Sequence, residues 1–182
     1  MRPLRVVVTG SECTGKTTLA RELAARFGAP WVPEFCRGYH AVKGAPLEAS
    51  DVEPIARGQI AEVDEAESRA TGLLVLDTDL LSTVVYAQHY YGACPSWVEA
   101  ASRERRADLY LLCAADLPWE PDAPRDRGDR REEMHGLFVE ALAAAGAEVR
   151  LVAGTGPARE DEAAAAIARA LDGRSPMRTP AS

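Results

Sequence analysis

The sequence lacks a basic excess, long apolar runs and paired cysteines. Its formal net charge is −7 over 182 residues. That excludes a general nucleic-acid binder, which carries a basic excess or patch, but leaves room for a local basic pocket that holds phosphates. Apolar runs stop at about five residues, far short of the roughly 20 that a spanning helix needs, so no membrane association is expected. Met1-Arg2-Pro3-Leu4-Arg5 leads into a strand rather than a signal-peptide core, so a cytoplasmic location is expected. Cys13, Cys36, Cys94 and Cys113 have neither metal-ligand nor redox-motif spacing and read as thiols of a reducing compartment. No internal repeat is visible. What is present is ordinary globular composition, 47% hydrophobic and 27% charged. It predicts one domain over 1–172 and a disordered tail over 173–182.

Strand-like and helix-like segments alternate. Leu4 to Thr9 reads as a buried strand centred on Val6, Val7 and Val8, and Lys16 to Phe27 as a helix closed by Gly28. Trp31-Val32, Leu73 to Leu76, Leu109 to Leu112 and Val149 to Val152 read as four further strands. Helices are expected over Asp51 to Ala70, Leu80 to Tyr91, Arg131 to Ala145 and Arg159 to Leu171, with a charged loop from Pro118 to Arg131. This pattern predicts an α/β fold: a five-stranded parallel sheet with helices on both faces. Such sheets bind ligands at the carboxyl ends of their strands.

Gly10-Ser11-Glu12-Cys13-Thr14-Gly15-Lys16-Thr17 matches G-x-x-x-x-G-K-[ST] without a mismatch. The glycines let the backbone curl so that amides point at phosphate oxygens. The helix that starts here adds its positive end. Lys16 is expected on the β- and γ-phosphates, Thr17 on Mg²⁺, and Thr18 beside them. ATP and Mg²⁺ are the cofactors this loop predicts. Asp77 ends an apolar strand and is the second candidate for the metal. Asp79 is either functional or a helix cap.

A Ras-like GTPase needs an Asn-Lys-x-Asp motif, which the chain does not contain. A ring-forming ATPase needs a second helical domain. A small phosphotransferase remains, and three segments fit it. In Pro33-Glu34-Phe35-Cys36-Arg37-Gly38-Tyr39, Glu34 sits where a base can take a proton from a substrate hydroxyl. Arg37 could clamp an anion and Tyr39 could stack on a ring. In "PWEPDAPRDRGDRR", Arg125 and Arg127 can neutralise the transferred phosphoryl group from an arginine-rich lid. Trp119 is either a hinge anchor or a substrate platform. Gly154-Thr155 follows the last strand, where a loop of small residues can approach adenine or form a plain turn.

With these pieces assembled, the chain resembles the ribosylnicotinamide kinase domain of NadR-type proteins, in the group of short phosphate-loop kinase-like ATPases. "GSECTGKTTLA", "PEFCRGY", "LLVLDTDLLSTVVYAQHYYG" and "DLYLLCAADLPWEPDAPRDRG" carry the resemblance. It implies transfer of the ATP γ-phosphoryl group to the 5′-hydroxyl of nicotinamide riboside, giving nicotinamide mononucleotide. Glu34 or Asp79 is then the base. Arg37, Tyr39 and Trp119 face the riboside, and Arg125 or Arg127 closes on the phosphates. Multifunctional members carry further domains that this chain lacks, so the mononucleotide is the expected product. Two other readings stand beside this one: a kinase of another nucleoside-like molecule, and an ATP-binding regulator. The sequence leaves a homo-oligomer open.

Overall fold

The computed structural model describes residues 2–117 and 131–174. One parallel sheet runs in the order β2-β3-β1-β4-β5. Its strands are β1 Leu4–Thr9, β2 Trp31–Val32, β3 Leu73–Asp77, β4 Leu109–Cys113 and β5 Val149–Val152. The helices among the described residues are α1 Lys16–Phe27, α2 Phe35–Lys43, α3 Val52–Arg69, α4 Leu80–Tyr91, α5 Ser96–Glu104, α6 Arg131–Ala144 and α7 Gly156–Asp172. The expected strands all form. Helices α2 and α5 were not expected, and the reason is physical. Each is only nine residues long, α2 carries Gly38 in its interior and Pro95 stands directly before α5, so neither offers the long uninterrupted pattern by which a helix is read.

Successive β1 side chains point to opposite faces. Val6 and Val8 join Leu19 and Leu23 of α1 and Ala163 and Ile167 of α7. Val7 joins Val63 of α3, Val85 of α4 and Phe138 of α6 on the other face. All three valines are fully buried, each worth roughly 1.5–3 kcal/mol of transfer free energy. This two-sided burial explains the continuous apolar run.

β1 lies between β3 and β4, so the chain winds off in both directions from it and leaves a crevice at its carboxyl end. Gly10 opens that crevice. Its φ is +135°, and a Cβ there would lie 2.9 Å from the Cys113 carbonyl oxygen. No larger residue can make this turn against β4. The tip of the Phe35 ring presses on Gly58 of α3, where a Cβ would stand 2.0 Å from Phe35 Cζ. This contact seats the start of α2.

Candidate active site

The phosphate loop wraps the start of α1. Ser11 and Thr14 are fully buried, so it is the loop backbone, not these side chains, that faces a ligand. Thr14 Oγ1 donates to the Ser11 carbonyl at 2.9 Å, and Lys16 Nζ donates to the same oxygen at 2.7 Å. Lys16 is therefore folded back on its own loop. Thr18 is in the first turn of α1 and is solvent-exposed. A residue that sequence reasoning missed braces the loop from outside. Arg159, buried in the first turns of α7, donates from Nη2 to the Thr14 carbonyl at 2.6 Å. No motif marks it, because the contact joins residues 145 apart.

Thr17 Oγ1 donates to Asp77 Oδ2 at 2.6 Å. Asp77 is 1% exposed, and its Oδ1 is buried without a hydrogen-bond partner. Burial pushes the Asp77 carboxyl up, the Thr17 bond opposes it, Glu34 pushes it further up, and Lys16 and Arg37 draw it down. A hydroxyl and a carboxylate with an unused oxygen form a hard oxygen donor pair, which fits Mg²⁺.

Beside this pair lies a cavity of about 400 Å³, within the size range of small-molecule sites. Glu34, Gln59, Thr78, Ser82, Tyr86 and Tyr90 are among its walls. Glu34 follows β2 and sits at the N-cap of α2. The next residue, Phe35, donates its N–H to Gln59 Oε1 at 3.0 Å, which ties this corner to α3. Arg37 lies on the exposed side of α2 with Nε 3.8 Å from Glu34 Oε2. The aromatic wall comes from α4. The Tyr86 and Tyr90 rings are stacked with centroids 6.1 Å apart, and Phe138 buttresses Tyr86 edge-on at 5.7 Å.

Three residues expected at the acceptor, Arg37, Tyr39 and Asp79, are absent from the cavity wall. Tyr39 does not line the cavity. Its hydroxyl donates to Asp51 Oδ1 at 2.9 Å, and Asp51 also binds Lys43 and the Glu48 N–H. It therefore fastens α2 to the start of α3. Asp79 is half-buried, turned away from this cavity toward Tyr110, and absent from the cavity wall. One of its oxygens accepts from Leu81 N at 3.1 Å and Ser82 N at 3.4 Å, and the other from the Tyr110 hydroxyl at 2.7 Å. Burial raises its carboxyl, and these bonds oppose the rise. The helix-cap reading of Asp79 is thus the one its geometry satisfies. Gly154 N donates to Asp116 Oδ2 at 2.6 Å, and Thr155 is the N-cap of α7, so this loop joins the ends of β4 and β5. Trp119, Arg125 and Arg127 lie outside the described residues.

The phosphate loop at the central strand, with a cavity beside it, makes this an α/β P-loop nucleotide-binding protein of the nucleoside-kinase architecture. Residues 5–159 match the family described as "AAA domain", and the chain belongs to that family. It is 33% identical over 143 residues to the "Trifunctional NAD biosynthesis/regulator protein NadR" of Escherichia coli (strain K12), covering 75% of this chain and 35% of that one. Against the Salmonella typhimurium (strain LT2) protein of the same description the identity is 32%, with the same coverage. The chain thus spans about a third of the length of these curated relatives. A solved NadR structure in complex with NR superposes with a TM-score of 0.74 at 26% identity, over 99% of this chain and 54% of that one. Thymidylate kinase from Ehrlichia chaffeensis shares the fold, with a TM-score of 0.68 at 10% identity, over 94% of this chain and all of that one. The resemblance to NadR-type kinase domains carried by the sequence motifs is borne out. No described helix is long and apolar enough to cross a membrane.

Proposed function

We propose that this chain is an ATP-dependent kinase that phosphorylates the 5′-hydroxyl of nicotinamide riboside to give nicotinamide mononucleotide. The observation that carries the reading is the cavity next to the phosphate loop, with Glu34 and stacked tyrosines in its walls. Kinship with NadR supplies the substrate. A regulator that only hydrolyses ATP has no use for such a second site.

The riboside 5′-oxygen attacks the γ-phosphorus, the bond to the β–γ bridging oxygen breaks, and ADP leaves. Glu34 takes the hydroxyl proton. Lys16 swings from the Ser11 carbonyl to the phosphate oxygens. Thr17 and Asp77 would hold Mg²⁺, which supplies neutralising charge at the phosphates. The cationic pyridinium suits the electron-rich faces of Tyr86 and Tyr90. On sequence grounds alone, Arg125 and Arg127 are assigned to the transferred phosphoryl group and Trp119 to the riboside. The test is ADP release from Mg²⁺ and ATP with nicotinamide riboside, each common nucleoside, or buffer. Strong stimulation by nicotinamide riboside, with the mononucleotide identified by mass, is expected. Stimulation by a different nucleoside alone refutes the substrate, and acceptor-independent release refutes the kinase.

A further inference from the structure

We infer that Thr78 is a sugar-binding residue held in a strained backbone conformation, its hydroxyl taking a hydroxyl group of the acceptor's ribose. The inference rests on the nucleoside-kinase reading above and names a contact within that site.

Residues two apart on a strand share a face. An extended chain would therefore set Asp77 and Asp79 side by side at the phosphate loop. Thr78 breaks the alternation with φ +66°. Its N–H still donates to the Val8 carbonyl at 3.0 Å, one step beyond the Val8–Asp77 pairing of β1 and β3. After this twist Asp79 caps α4 while Asp77 stays against Thr17. The left-handed turn thus separates two carboxylates that would otherwise repel.

The turn explains the φ but not the side chain. Glycine adopts this conformation freely, and asparagine or aspartate at little cost, whereas a β-branched residue is the least suited. Among the described residues only Cys13, within the phosphate loop, is another non-glycine with positive φ. Thr78 is 4% exposed and lines the acceptor cavity together with Glu34, Ser82 and Thr83. Ser82 is fixed by a 3.1 Å bond between its Oγ and Thr9 Oγ1. Three hydroxyl-bearing residues, able both to donate and to accept, in the wall of a cavity that also holds a carboxylate match the chemistry of a sugar. Strain kept at such a position points to use of the side chain.

The experiment compares Thr78→Val, Thr78→Ser and Thr78→Gly in the full chain, by steady-state kinetics on whichever riboside the parent phosphorylates and by thermal melting. Valine keeps the branching and the strain and removes only the hydroxyl. It should lower kcat/KM for the riboside by about tenfold or more, the loss expected when a buried polar contact is broken, with KM for ATP unchanged. Serine should stay near the parent. Glycine should melt no lower than the parent, because it relieves the strain, and yet lose riboside kcat/KM as valine does. A structural role alone would not give stability and riboside use opposite signs. Full riboside activity in Thr78→Val or Thr78→Gly overturns the inference and leaves the kinase standing. A parent that phosphorylates no riboside overturns both.

Discussion

Exchanging one oxygen for an amide at Glu34 and at Asp79 separates the two carboxylates that the sequence offers as the base. Asp79→Asn keeps the oxygen that caps α4 and replaces the one that accepts from Tyr110. Tyr110 is fully buried, and its hydroxyl otherwise only accepts, from the Ala107 N–H at 3.2 Å. The variant therefore sets an amide donor against a buried hydroxyl donor. The loss is about 2 kcal/mol, or roughly 4–8 °C of melting temperature for a chain of this size. Below that temperature Asp79→Asn should keep its turnover, since the carboxylate is held by Tyr110 and the α4 N-terminus and does not line the cavity. Glu34→Gln should do the reverse. Its shape is unchanged and its melting temperature should hold, while turnover falls on the order of 10²-fold at constant ATP affinity. Differential scanning fluorimetry and coupled ADP release measure both quantities on the same samples. A folded Asp79→Asn that loses turnover on the order of 10²-fold, beside an active Glu34→Gln, would refute the assignment.

Further predictions concern neighbouring residues. Asp77 has a raised carboxyl in the ligand-free protein, so its held proton stabilises the fold below the ordinary carboxylate value, and that contribution is lost as pH rises through the raised value. In the proposed site Mg²⁺ and nucleotide would bind with this group ionised, so calorimetry should show proton release and an affinity that weakens as pH falls; Asp77→Asn should abolish both. Tyr90→Ala removes half of the stacked pair and should raise KM for nicotinamide riboside several-fold while KM for ATP stays constant; an equal rise in both would contradict the placement of the riboside. Arg159→Met removes the brace on Thr14 and should raise KM for ATP about tenfold with KM for the riboside unchanged, as a matched kinetic series would reveal. Gly58→Ala puts a methyl where the Phe35 ring lies. It should destabilise the protein by about 1–3 kcal/mol in chemical denaturation; a neutral result would mean that α2 is not seated by this contact.

The phosphate loop was legible because its requirements are local. Eight consecutive residues supply the glycines, the lysine and the hydroxyl, and the valine run before them is the signature of a strand buried on both faces. The strands and the position of Asp77 followed for the same reason. Helix α2 was not legible, because it is only nine residues long and carries Gly38 in its interior, which weakens a helical reading. The aromatic wall was not legible either. Tyr86 and Tyr90 lie on the same α4 that fills the core, and helical spacing cannot separate a ring that packs on Phe138 from one that faces a cavity. Asp79 shows the difference most plainly. The sequence set two carboxylates two residues apart at the end of a strand. Which of them meets the phosphate loop was decided by the left-handed turn at Thr78 and by the Tyr110 hydroxyl arriving from β4, 31 residues away. The local sequence determined where phosphate binds. The choice among the carboxylates, the seat of Tyr39 on Asp51 and the shape of the cavity depend on contacts between distant segments, which exist only once the sheet has brought those segments together.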